Sequence, residues 1–110
     1  MATLTAQQIT QAGLVPAAVT PAVAGDKLAN TAKQFFHVEN GGAVSITATV
    51  IPVVTTVLGI LTKENAILTL AAGEEGFLGP FEVDAFNDVD GNITITCSAT
   101  ASIKLSALYL

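Results

Sequence analysis

The chain has 110 residues, of which 51% are apolar and 12% charged, with a formal net charge of −5 and no arginine. An ordinary soluble domain carries about twice that charge, and the four cations here, Lys27, Lys33, Lys63 and Lys104, are scattered. Nucleic-acid binding needs clustered cations to neutralise phosphates, so the composition argues against it, and Cys97, alone in the chain, leaves no internal disulfide.

The length suits one domain with a modest core. We divide it into residues 1–30, an N-terminal helix and extended arm, and residues 31–110, a β domain. Met1-Ala-Thr-Leu-Thr5 lacks the cations and apolar run of a signal peptide. A surface this poor in charge implies cover, either by copies of the chain or by a larger partner.

Thr5-Ala-Gln-Gln8 fits a capping box, with Leu4 and Ile9 at the positions of a hydrophobic staple. Gly13 suits the left-handed residue that closes a helix, so the pattern predicts a short helix over Ala6–Ala12. Leu14 to Asn30 holds Pro16, Pro21, Gly25 and many alanines. It reads as an extended arm with a short edge strand at Ala22–Ala24, and is either a surface loop or a segment that wraps a neighbour.

Gln34–Glu39 reads as a strand, and Asn40-Gly41-Gly42 as a hairpin turn. Val44, Ile46, Ala48 and Val50 alternate with Ser45, Thr47 and Thr49, which marks a half-buried strand that Pro52 ends. Ala43 to Thr62 is 20 residues without a charge, the length of a membrane span. Its Ser, Thr and Val content, its strict alternation and Pro52 favour two adjacent strands, the second over Val53–Leu61. Asn65–Leu70 is a further strand and residues 71–76 a turn.

Gly76-Phe77-Leu78-Gly79-Pro80-Phe81, running into Phe86, holds three of the five phenylalanines in a chain without tryptophan. These three are expected to anchor the core, and Phe77–Val83 to form a strand broken by glycine and proline. Asp88-Val-Asp-Gly-Asn92 predicts a tight turn that launches the strand Ile93–Ala99. Ala99–Ser102 turns the chain into a last strand, with Ile103, Leu105, Ala107 and Tyr109 inward and Lys104 and Ser106 outward. Leu108 and Leu110 interrupt that outer side, so its end should be covered. The whole reads as all-β, an antiparallel β-sandwich or small β-barrel.

No catalytic, cofactor or metal site emerges, and the chain does not read as an enzyme. Asp88, Asp90 and Asn92 sit like part of a calcium loop, but two further ligand positions hold Phe86 and Cys97. Six of the nine acids fall between Glu74 and Asp90, making a negative face better suited to solvent or a partner than to an ion. His37 and Cys97 are each unique, and a nucleophilic pair would need them adjacent with a third orienting group.

The order of segments resembles the small accessory head proteins of tailed bacteriophages, the capsid decoration or cement proteins. The resemblance spans Phe35 to Leu110. It rests on Phe36-His-Val-Glu-Asn40, Ile46-Thr-Ala-Thr-Val50, Ala72-Gly73 before Phe77-Leu-Gly-Pro-Phe81, Phe86-Asn-Asp-Val-Asp-Gly91 and Ile103-Lys-Leu-Ser-Ala-Leu-Tyr-Leu110. It implies a β-sandwich or barrel on the outer surface of a virion capsid, made in the host cytoplasm, bound to the major capsid protein and often a homotrimer. The proline-rich arm is longer and richer in alanine than that pattern. The contacts expected for partner or oligomer are Leu14, Val15, Pro16, Val19, Pro21 and Val23 on the arm, with Phe77, Phe81 and Phe86 beyond it. A tail or neck adaptor and a carbohydrate-binding β module are the alternatives. No cofactor, nucleic acid or membrane enters any of these readings.

Overall fold

The computed structural model of the chain describes residues 2–53, 56–57, 61–62 and 64–110. Among the described residues, eleven strands and one helical turn are laid out as β1 (Ala2–Leu4), β2 (Gln7–Gln8), β3 (Asp26–Ala29), β4 (Gln34–Asn40), β5 (Ile46–Val50), β6 (Thr56–Val57), β7 (Leu61–Thr62), β8 (Ala66–Leu70), β9 (Glu75–Leu78), α1 (Val83–Phe86), β10 (Asn92–Cys97) and β11 (Ile103–Tyr109). They build a five-stranded sheet, β1-β3-β10-β5-β8, a four-stranded sheet, β2-β11-β4-β9, and a β6-β7 pair. Both large sheets are mixed: β1 runs parallel to β3 and β2 parallel to β11, and the remaining pairings are antiparallel. The all-β expectation holds, the strictly antiparallel one does not, and the arrangement is compatible with a β-sandwich.

Period-two patterning sets the register. Ile46, Ala48 and Val50 of β5 and Ile93 and Ile95 of β10 are buried, as are Phe36 and Val38 of β4 and Ile103, Leu105 and Ala107 of β11. One apolar cluster joins these residues from both sheets with Leu28, Leu70, Leu78 and Phe81. Full burial of one such side chain is worth roughly 1.5–3 kcal/mol. The ring of Phe81 lies 5.9 Å from Phe36 and 5.4 Å from Phe86, so two of the three expected aromatic anchors do pack at the centre. Phe77 does not: its neighbour Leu78 pairs with Phe36 and turns inward, so alternation sends Phe77 to the outer face, where it is 62% exposed.

Several local expectations give way to long-range pairing. The helix over Ala6–Ala12 is absent; β2 lies there, paired with Leu108 and Tyr109 of β11. So short a helix cannot hold itself together, whereas pairing with β11 supplies backbone partners directly. Gly13 does close a turn, with φ +89° and its N–H donating to Thr10 O at 2.9 Å. The edge strand at Ala22–Ala24 is replaced by a turn into β3, which lies inside the five-stranded sheet between β1 and β10. Gly25 makes that entry possible. Its φ is +101°, and a Cβ there would stand 2.9 Å from Thr96 Cγ2 and 3.0 Å from Ile95 O.

Asn40-Gly41-Gly42 is not a hairpin. It carries the chain from β4 in one sheet to β5 in the other, and residues 98–102 make a similar crossing from β10 to β11. Asn40 is fully buried at the first corner. Its side-chain amide donates to the carbonyls of Val44 (2.8 Å), Leu70 (3.2 Å) and Ala71 (3.2 Å), and its Oδ1 accepts from Gly42 N (3.0 Å).

Residues 54, 55 and 58–60 of the expected Val53–Leu61 strand lie outside the described residues. Within that span Thr56–Val57 pairs with Leu61–Thr62 as the antiparallel β6-β7 pair. β5 occupies the first part of the charge-free window, and among the described residues no helix is long and apolar enough to cross a membrane. The expected Phe77–Val83 strand is displaced: β9 starts at Glu75 and ends at Leu78, and a helical turn begins at Val83. Ser106, expected outside, is buried.

Candidate interaction surface

Ser106 and Leu108 point away from the core yet are 2% and 3% exposed. The chain's own residues 7–19 run along this side of β11. Val19 exchanges two backbone hydrogen bonds with Leu105, both 2.8 Å, and Ile9 N donates to Tyr109 O at 2.8 Å. The Gln7 side-chain amide pairs with both backbone groups of Ala17, 2.9 Å each way, as a strand neighbour would. The arm is thus held by polar contacts on its inner side, while residues 11–20 are exposed throughout.

Where the arm meets the sheet, Ile9, Leu14, Pro16, His37, Phe77 and Leu108 enclose an open cleft of about 210 Å³. Phe77 is the ridge beside it. Its ring lies 5.0 Å from His37, directly opposite in the β4–β9 register, and 5.8 Å edge-on from Phe35. On the other side of Phe35 a second cleft, about 470 Å³, is lined by Lys33, Phe35, Gly79, Pro80 and Leu110. The outer face of the four-stranded sheet is therefore an apolar, aromatic band with clefts on both sides, continued by Val15 at 93% exposure.

Polar groups lie within the band and beside it. His37 Nε2 lies 3.4 Å from Glu75 Oε2, and Lys104 stands opposite Glu39 in the β4–β11 register.

Of the expected contact residues, the structure brings Leu14, Pro16 and Phe77 to this cleft, with Val15 exposed beside them on the arm. Val19, 44% exposed, pairs along the edge of β11, and Val23, also exposed, belongs to the turn before β3. Pro21 and Phe81 are buried and Phe86 is half-buried against Phe81. Ile9, Phe35 and Pro80 were not among the expected contacts, whereas Leu108 and Leu110 mark the end of β11 that the sequence leads one to expect covered. Phe35 was legible: with Phe36 inward on a strand, its neighbour must face out.

The remaining constellations separate. His37 lies in the four-stranded sheet and Cys97 in the five-stranded one. Burial, with the nearby Asp26 charge, pushes the Cys97 thiol above its ordinary range. Asp88 closes its own turn: Oδ1 accepts from Asp90 N (2.9 Å) and Asn92 N (3.0 Å), and Oδ2 stands 4.0 Å from Lys27 Nζ. The Asn92 amide, helped by the Asp90 amide and Lys27, holds this carboxyl below the usual aspartate range despite a smaller opposing effect of burial. Among the described residues no group of three or more His, Cys, Asp or Glu is placed to hold a metal ion.

No family model, curated protein or solved structure matches this chain.

Proposed function

We propose that the chain is a structural virion protein, a capsid decoration or cement protein that binds the outer surface of a shell built from the major capsid protein and stabilises it. The observation that carries this reading is the apolar band on the outer face of the four-stranded sheet, where exposed Val15, Leu14 and Phe77 meet half-buried Phe35. The order of segments that resembles phage accessory head proteins supplies the identity of the partner, and it favours a homotrimer on the capsid surface. A surface ligand of this kind works by mass action. It binds the assembled lattice in preference to free subunits, and so shifts the balance toward the closed shell.

The test is cosedimentation of the purified chain with empty shells of the cognate major capsid protein, followed by heating. Saturable binding with a raised disassembly temperature is expected. Failure to bind, or binding that leaves that temperature unchanged, refutes the reading. A ring of five, six or twelve copies that binds a portal or tail instead would favour the adaptor alternative. Exposed Phe77, edge-on to half-buried Phe35, gives the carbohydrate-binding alternative a foothold, and glycan binding without shell binding would favour it.

A further inference from the structure

The two large sheets end in four edge strands: β1, β8, β2 and β9. Three are short or blunted. β1 has three residues and β2 two, and β9 carries Glu75 and runs directly into Gly79-Pro80. β8 is different. Its five residues, Ala66-Ile-Leu-Thr-Leu70, include no charge, proline or glycine, and its one ladder partner among the described residues is β5. Edge strands without such protection are templates for pairing with another strand, and proteins that must avoid this place a lysine, proline or bulge there.

We infer that β8 is a self-association edge, and that its occupant is β8 of a second copy, antiparallel about a two-fold axis through Leu68. The sequence of the strand is the reason for choosing this occupant. In that register Ile67 faces the partner's Thr69, Ala66 faces the partner's Leu70, and the two Leu68 residues face each other, so apolar and β-branched residues meet throughout. The nearest flanking charge, Glu64, falls opposite Ala72 rather than another acid. The strand itself carries no carboxylate, so two copies of a chain of net charge −5 meet there without opposing acids. An isologous contact of this kind is the commonest symmetry of homo-oligomers.

The seam would also join two five-stranded sheets into one of ten strands. Its outer face carries Thr47, Thr49, Thr69, Thr94 and Thr96, which alternate with the buried residues of β5, β8 and β10. Ile67, 57% exposed at the rim of that face, would be covered in the pair. Five paired residues make a small contact, so the association is reversible and depends on concentration. This inference uses the sheet opposite the proposed shell-facing band and needs no shell.

The test uses two double substitutions at exposed positions, in the full-length chain. Ile67→Lys with Thr69→Lys places like charges opposite each other across the seam. Ile67→Lys with Thr69→Glu places opposite charges there, with the same two sites altered. Sedimentation velocity over a hundredfold concentration range is expected to show a reversible even-numbered assembly for the native chain, its loss in the Lys/Lys variant and its retention in the Lys/Glu variant. Circular dichroism confirms that all three are folded. A native chain that stays single at every concentration, an odd-numbered assembly indifferent to both variants, or equal behaviour of the two variants would overturn the inference. Shell binding by a chain that fails this test would leave the cement reading intact.

Discussion

The Asn40 side-chain amide donates to the carbonyl of Leu70 at 3.2 Å, tying the end of a strand in the four-stranded sheet to the edge strand of the five-stranded one. The same amide group reaches Val44 and Ala71, so one buried side chain holds the corner where the chain changes sheets. Asn40→Asp keeps the shape but cannot donate to three carbonyls. It is expected to destabilise the fold by roughly 2–4 kcal/mol, the cost of buried acceptors left unpaired. Urea denaturation checks this; a loss under about 0.5 kcal/mol would remove Asn40 from that role.

Two phenylalanines four positions apart should behave oppositely. Phe81 is 2% exposed and touches Phe36 and Phe86, so Phe81→Ala is expected to cost about 3–5 kcal/mol. Phe77, mostly exposed, should lose under about 1 kcal/mol as Phe77→Ser. The same denaturation experiment measures both.

Gly25 is a backbone requirement rather than a flexible spacer. Gly25→Ala meets both a left-handed φ and a Cβ contact of 2.9 Å with Thr96 Cγ2. A loss of roughly 2 kcal/mol or more is expected, against about 1 kcal/mol for Gly13→Ala, where φ is also positive but the space is open. Thermal melts of the two variants give the comparison.

The Asp88 turn makes stability depend on pH in one direction. The folded state holds this carboxyl below its ordinary value, chiefly through the Asn92 amide. The folded state thus binds its proton less readily than the unfolded state. The stabilisation is complete above the unfolded aspartate value, about 3.9, and is lost as pH falls through the lowered folded value. Melting temperatures of the native chain and of Asp88→Asn are expected to differ most near neutral pH and to converge in strong acid. A constant difference across that range would contradict the assignment.

Cys97 should be a sluggish thiol. Its folded value is raised by burial, so little thiolate forms at pH 8. Alkylation of the folded chain at that pH is expected to be at least several-fold slower than in denaturant, and equal rates would refute this.

How much of this was readable from the residues depends on the range of the interaction that decides each element. β5 and β10 are visible in strict alternation, because the burial of one face imposes it, and β4, β8 and β11 as strand-like runs with apolar residues also on the outer side. The Asp88–Asn92 turn is visible because the side chain bonds its own backbone two and four residues on. The N-terminus was misread because Thr5-Ala-Gln-Gln8 satisfies a local helix rule, while β11 offers a partner more than 100 residues away in sequence. The Asn40 corner was misread for a related reason. Turn residues announce a reversal but do not say which sheet the next strand joins. The aromatic band was only half legible: Phe77 and the arm stood out, but their meeting with Phe35, His37 and Leu108 depends on pairing between distant strands.

In the proposed function, the band around Phe77 and the arm is the face that meets the shell. Its most direct test is the occupancy of empty shells by Val15→Ser combined with Phe77→Ser, two exposed changes that leave the core untouched. A folded protein whose shell affinity falls at least tenfold is expected. Occupancy equal to that of the native chain would contradict it.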